Sequence, residues 1–193
     1  MRAPSRPAAH LCGTSRGPNK YVPTGASIIS SPTHTSVSAI AERAGVQRQT
    51  YYRYFPDERS VFRACTGLYM ERNPLPDPRV WRTIADPNER LRKGLTELYD
   101  YYAANEPMLT NVTRDASVHA GTREMVTAFV APAMADLRDA LAEGLQRESG
   151  TPHLIAALDL VLDFNTWRLL VRGSGLSQED AVELVAAMLR CIS

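Results

Sequence analysis

The sequence predicts an all-α protein in which a short helix-turn-helix module precedes a larger helical domain. Apolar residues recur at helical spacing from Ser36 onward, and no segment shows the alternation of apolar and polar residues that is typical of a strand. Prolines concentrate in two segments and divide the chain. We therefore expect a disordered or irregular segment at 1–33, a helix-turn-helix domain at 34–72 and a helical domain at 73–193.

The N-terminal module is predicted from its helix caps and stops. A first helix is expected from about Ser36 to Ala44, because Ser is a good N-cap and Gly45 takes the left-handed conformation that ends a helix. A second short helix is expected over 47–54. Asp57 then provides an N-cap for a third helix.

The remaining helices are separated by proline and glycine. Residues 73–87 contain four prolines and are interpreted as a linker. A helix is expected from Pro87, with another short one starting at Glu106-Pro107. Three further helices are expected: from Thr122 to about Ser149 with a kink at Pro132, from Thr151 to Gly173, and after the N-cap Ser177.

The charge is distributed unevenly. Residues 1–63 hold nine basic and three acidic residues, whereas 64–193 hold thirteen basic and eighteen acidic ones. A basic module attracts phosphate backbones, and an acidic one suits ligand binding or self-association. An ordinary scatter of surface charge stays open as the alternative.

Enzyme and metal chemistry find no support in the sequence. The three cysteines are far apart without a CxxC pair, the histidines form no HExxH pattern, and no phosphate-binding loop occurs. We predict no catalytic residue, no metal and no cofactor. No apolar stretch is long enough for a transmembrane helix, so we expect a cytoplasmic protein without a membrane partner.

The second helix of the module carries side chains suited to a DNA groove. Its N-terminal residues can offer hydrogen bonds to base edges, where Arg suits guanine and Gln suits adenine. Phosphate contacts are expected from its later residues and from the start of the preceding helix. The predicted DNA-binding residues are Thr35, Ser36, Gln47, Arg48, Gln49, Thr50, Tyr52 and Arg53.

The segment IAERAGVQRQTYYRYF, residues 40–55, resembles the signature of the TetR/AcrR family of transcriptional regulators. The resemblance implies a homodimer that binds a palindromic operator in double-stranded DNA, generally as a repressor. It also implies that a small-molecule effector bound among the C-terminal helices releases the DNA. The last two helices would form the dimer interface, with burial inside one chain as the alternative.

Two features depart from the family pattern. Residues 1–33 contain five prolines, so the family's usual first helix is not predicted there. Glu58 stands where the family often has a phosphate-binding lysine. A ligand-binding helical dimer with impaired DNA binding is therefore the second hypothesis, and a helical-bundle enzyme is a weaker third.

An effector pocket lined by aromatic and methionine side chains is expected in the C-terminal domain. Plain core packing is the alternative for each of these residues. The candidates are Tyr99, Tyr102, Met108, Phe129, Met134, Phe164, Asn165 and Trp167.

Overall fold

The computed structural model describes residues 47, 49, 52, 53, 55–145 and 151–191. These residues form helices and connecting turns without any strand, which confirms the predicted all-α class. None of the helices in these ranges is long and apolar enough to cross a membrane. The elements are α1 (Glu58–Arg72), α2 (Pro78–Arg82), α3 (Pro87–Val118), α4 (Ala120–Met125), π1 (Val126–Val130), α5 (Ala131–Ala142), α6 (Thr151–Val161), α7 (Phe164–Arg168), π2 (Leu169–Gly173) and α8 (Gln178–Arg190).

The chain divides into two compact units. The first unit comprises Met1–Pro74 and Pro107–Val126, and the second comprises Leu75–Glu106 and Thr127–Ser193. Helix α3 therefore contributes its first part to the second unit and its last part to the first. The sequence boundaries at residues 33 and 72 remain predictions.

Helix α1 begins where the sequence places its N-cap. The Asp57 carboxylate accepts a hydrogen bond from the backbone N–H of Ser60 at 2.7 Å, and the Ser60 hydroxyl faces the Asp57 backbone N–H at 3.5 Å. This reciprocal capping box satisfies N–H groups that the first helical turn otherwise leaves unpaired.

The proline-rich segment 73–87 is not only a linker, because it contains α2. Pro78 occupies the first turn, where a missing N–H costs nothing, and the Asp77 carboxylate caps the backbone N–H of Arg79 at 3.0 Å. Trp81 on this helix is fully buried, and its indole N–H donates to Glu97 at 2.6 Å. The segment interpreted as a linker therefore contains a short helix that the sequence analysis did not predict.

Helix α3 runs unbroken through Pro107, so the prediction of a new helix at that residue was wrong. A proline inside a helix removes one backbone hydrogen bond, and flanking turns can hold the helix together around it. Two residues earlier, the Asn105 side-chain amide donates to the carbonyl of Tyr101 at 2.8 Å. Asn105 is itself buried, so packing supports the turn that precedes the proline.

The long helix predicted from Thr122 is divided into α4, π1 and α5. The π-helical turn directly precedes Pro132, which lacks the N–H that a regular helix would use, and it lies where the sequence predicts a kink. Helix α5 ends at Ala142, earlier than predicted, because Gly144 adopts a φ of 79°. The predicted stop at Gly150 lies outside the described residues.

The buried Arg90 side chain closes this end of α5. Its guanidinium donates to the carbonyl of Glu143 at 3.0 Å and to that of Ala140 at 3.4 Å. It also donates to the carbonyl of Ile84 at 2.8 Å, which fixes the turn before α3. A charged side chain is thereby buried without leaving its donors unsatisfied.

The helix predicted from Thr151 to Gly173 is also interrupted. Asp163 ends its first part and caps α7, since its carboxylate accepts from the backbone N–H groups of Asn165 at 2.7 Å and Thr166 at 3.3 Å. The final helix, α8, begins after Ser177 as predicted, with the Ser177 hydroxyl accepting from the Asp180 N–H at 3.0 Å.

Candidate functional site

The described part of the predicted DNA-binding segment presents polar side chains to solvent. Gln47, Gln49, Tyr52 and Arg53 are exposed, and the last three are helical. Tyr52 retains 53% of its accessible surface although it is aromatic. Exposed donors and acceptors on a short helix are what a major-groove contact requires.

Phe55 connects this segment to α1. Its side chain is only 4% exposed, and Asp57, which caps α1, follows almost directly. A buried ring at one end and a capping box at the other hold the connecting residues in place. Four predicted contacts, Thr35, Ser36, Arg48 and Thr50, lie outside the described residues.

Four of the predicted pocket residues form one aromatic cluster in the second unit. The rings of Tyr102 and Phe164 meet edge to face at 5.5 Å, and those of Phe164 and Trp167 stack at 5.6 Å. Tyr99 stacks on Tyr102 with ring centroids 6.2 Å apart. All four side chains are buried.

The two tyrosine hydroxyls already have partners. Tyr99 donates to the carbonyl of Val161 at 3.0 Å, and Tyr102 donates to the carbonyl of Leu162. These carbonyls belong to the C-terminal end of α6, which a helix leaves without internal partners. Burial raises the pKa of both phenols above the usual range, so they stay neutral donors. The two hydroxyls therefore provide hydrogen-bond donors to carbonyl groups at the C-terminal end of α6.

Trp167 is the member of the cluster whose polar atom has no hydrogen-bond partner among the described residues. Its indole N–H is buried and has no hydrogen-bond acceptor among the described residues. The guanidinium of Arg172 lies over the ring at 5.2 Å and is held by Glu106 at 2.9 Å. A ring covered in this way is fixed by a cation–π contact.

The other four pocket candidates do not join this cluster in the described contacts. Met108 is buried in the first unit, whereas Phe129 on π1 is 40% exposed. Met134 is partly exposed, and Asn165 is exposed at the start of α7. The predicted pocket lining remains a prediction.

Three of the described residues that are buried in the first unit are polar. Thr66 on α1 is buried and donates its hydroxyl hydrogen bond to the sulfur of Met125 on α4. Thr122 is fully buried, and its backbone N–H donates to His119 Nδ1 at 3.2 Å. Asp115 on α3 is also buried. Thr66, Thr122 and Asp115 were not predicted as pocket residues, although Asp115 lies two helical turns from the candidate Met108.

Comparison with known proteins identifies the N-terminal region. Residues 31–65 match the sequence model described as bacterial regulatory proteins, tetR family. The match includes all the predicted DNA-binding residues. No curated protein matches the chain.

The fold has a solved counterpart. A crystal structure assigned as a TetR-family transcriptional regulator from Rhodococcus sp. superimposes with a TM-score of 0.60 at 18% sequence identity. The alignment covers 97% of this chain and 99% of the other. At this identity the structural similarity supports only the fold. The assignment of a helix-turn-helix rests on the family match over residues 31–65. Residues 31–65 therefore carry a tetR-type DNA-binding helix-turn-helix sequence, and the chain is a transcriptional regulator whose helical fold is similar to that of a TetR-family protein.

Proposed function

We propose that this regulator is a ligand-responsive repressor that binds a palindromic operator as a homodimer. The observation that carries the proposal is the exposed set Gln49, Tyr52 and Arg53 within a segment that matches the family's DNA-binding region. These side chains offer the mixture of base-edge and phosphate contacts that a recognition helix makes. Two identical modules on one palindrome require a dimer.

The exposed face of α8 supports self-association. Its inward face buries Ala181, Val182, Val185, Ala186 and Leu189. Leu184 and Met188, one turn apart, are nevertheless 42% and 49% exposed. On the neighbouring helix α6, Leu160 is 58% exposed. An apolar face of this kind indicates an interaction surface, and a second copy of the same helices would bury it.

The effector is proposed to bind inside the protein rather than on its surface. Two sets of buried residues support this: the aromatic cluster around Tyr102 and the polar interior around Thr66 and Asp115. A binding-competent interior combines apolar walls with a few polar groups that fix orientation.

Sedimentation equilibrium combined with operator titration tests the dimer. We expect a dimer at micromolar concentration, and we expect Met188→Lys to weaken dimerisation and operator binding together. Val118→Lys is the matched control, because Val118 is also an exposed apolar residue, at 80%, but lies on α3. A monomer that binds DNA with unchanged affinity would contradict the homodimer, and a folded dimer that binds no DNA would favour a ligand-binding dimer instead.

A further inference from the structure

The buried residues that the structure describes differ in chemistry between the two units. The described buried side chains of the second unit are mainly Leu, Trp, Tyr and Ala. Those of the first unit are largely polar or sulfur-containing: Phe55, Thr66, Met108, Asp115, Thr122 and Met125. Methionine adapts its shape to irregular contents, and buried polar groups need partners. The buried residues described in the first unit therefore include polar groups and adaptable methionine side chains that could contact a ligand.

Asp115 carries an unsatisfied group in this interior. The residue is 9% exposed, and its Oδ1 accepts from the Arg114 Nε at 2.9 Å. Its Oδ2 is buried and has no hydrogen-bond donor among the described residues. Burying a carboxylate oxygen without a donor is unfavourable, so a ligand that brings a donor to Oδ2 would gain free energy.

The neighbouring groups fix the position of this carboxylate. The Asp115 carbonyl accepts from the backbone N–H of His119 at 2.7 Å, and His119 in turn caps α4 through Thr122. Asp115 therefore sits at the α3–α4 corner, and α4 also contacts α1 through Met125 and Thr66. A ligand bound at Asp115 would lie at the corner whose next helix contacts α1.

The geometry points to an effector that carries a protonated amine or a similar cationic donor, anchored at Asp115 Oδ2. This inference rests on the proposed ligand response and specifies the chemical class of its ligand. A carboxylate accepts hydrogen bonds only, and charge-assisted bonds to a cation are stronger than those to a neutral donor. An anionic ligand would instead be repelled. Arg114, whose side chain is 58% exposed, shares the carboxylate and would compete with the ligand for its charge.

Isothermal titration calorimetry of the full-length protein without DNA tests the assignment. The probes are 4-phenylbutylamine and 2-naphthylmethylamine, each beside its alcohol and carboxylate counterparts. We expect each amine to bind at least about tenfold more tightly than its alcohol, which corresponds to about 1.4 kcal/mol. The carboxylates should bind most weakly.

Two substitutions should change the binding of amines in opposite directions. Asp115→Asn keeps the side-chain size and should abolish the preference for amine over alcohol. Arg114→Gln removes the competing cation and should tighten amine binding several-fold, while alcohol binding stays unchanged. A purely structural role for Asp115 predicts no such gain. If Asp115→Asn fails to fold, as judged by circular dichroism, the change in amine affinity of Arg114→Gln still tests the assignment.

The assignment is overturned if amines bind no better than their alcohols to the wild-type protein. It is also overturned if the preference survives Asp115→Asn, or if Arg114→Gln leaves amine binding unchanged or weaker. A protein that prefers amines in this way but binds no operator would contradict the repressor and leave the Asp115 assignment standing.

Discussion

Thr66 donates its hydroxyl hydrogen bond to the sulfur of Met125, and this pair joins α1 to α4 inside the first unit. A thioether is a weak acceptor that tolerates burial without a donor. The hydroxyl therefore gains little from the bond, whereas the methionine side chain fills space. The two partners should respond very differently to substitution.

Met125→Ala is expected to lower the free energy of unfolding by about 2–5 kcal/mol, because it removes a buried side chain and leaves a cavity. Thr66→Val keeps the volume and leaves only a thioether unpaired, so it should stay within about 1 kcal/mol of wild type. Urea unfolding followed by circular dichroism measures both. A larger loss for Thr66→Val than for Met125→Ala would contradict this reading of the pair.

Gly94 marks a close helix approach in the second unit. A Cβ atom there would lie 2.6 Å from Leu141 Cδ2 and 3.2 Å from the Trp81 ring. Gly94→Ala should destabilise the protein, since overpacking costs about 1–3 kcal/mol against at most about 1 kcal/mol gained in helix propensity.

Gly67 on α1 is the matched control for this substitution. It is exposed, and no described atom lies within 4 Å of its added Cβ. Gly67→Ala should therefore raise stability by about 0.5–1 kcal/mol. Thermal unfolding of the two variants measures the difference, and a gain in melting temperature for Gly94→Ala would show that the Leu141 and Trp81 side chains can make room for the added methyl group.

Alkaline pH should destabilise the second unit. Burial raises the pKa of Tyr99 and Tyr102 in the folded state above the unfolded value of 10.0. The folded protein then holds protons that the unfolded chain releases, so this stability is complete below pH 10 and is lost as pH rises above it. Each tyrosine contributes a slope of about 1.4 kcal/mol per pH unit.

Replacing Tyr102 tests that pH dependence. Tyr102→Phe should lower stability at neutral pH by about 1–3 kcal/mol, because the Leu162 carbonyl loses its donor. It should also make the decline in stability above pH 10 shallower. Denaturant unfolding between pH 8 and 12 supplies the comparison, and an unchanged slope would mean that Tyr102 does not titrate with unfolding.

Substitutions at base contacts and at phosphate contacts should affect DNA binding differently. Arg48→Ala is expected to reduce discrimination between operator and unrelated DNA by about 1–3 kcal/mol. Tyr52→Phe should weaken binding to both DNAs by a similar factor, since phosphate contacts carry no sequence information. Fluorescence anisotropy with both duplexes at fixed salt measures the effects. Loss of discrimination in Tyr52→Phe would reassign Tyr52 to a base contact.

Sequence patterns predicted the all-α class and the helix starts at Asp57 and Ser177, because capping depends on local side chains. They failed at Pro107, through which α3 continues as a helix, and they missed the short helix α2, on which Trp81 is buried. Asp115 was also missed. Its burial depends on neighbouring helices, and a lone aspartate on a helix is usually solvated.

Selection of binding sites from a random DNA pool by the full-length protein tests the central claim most directly. A dimeric repressor should enrich a palindrome whose half-sites are centred about one helical turn, roughly 10 base pairs, or a multiple of it apart. Arg48→Ala should broaden the enriched motif. A folded, dimeric protein that enriches no common motif would contradict sequence-specific operator binding by this chain.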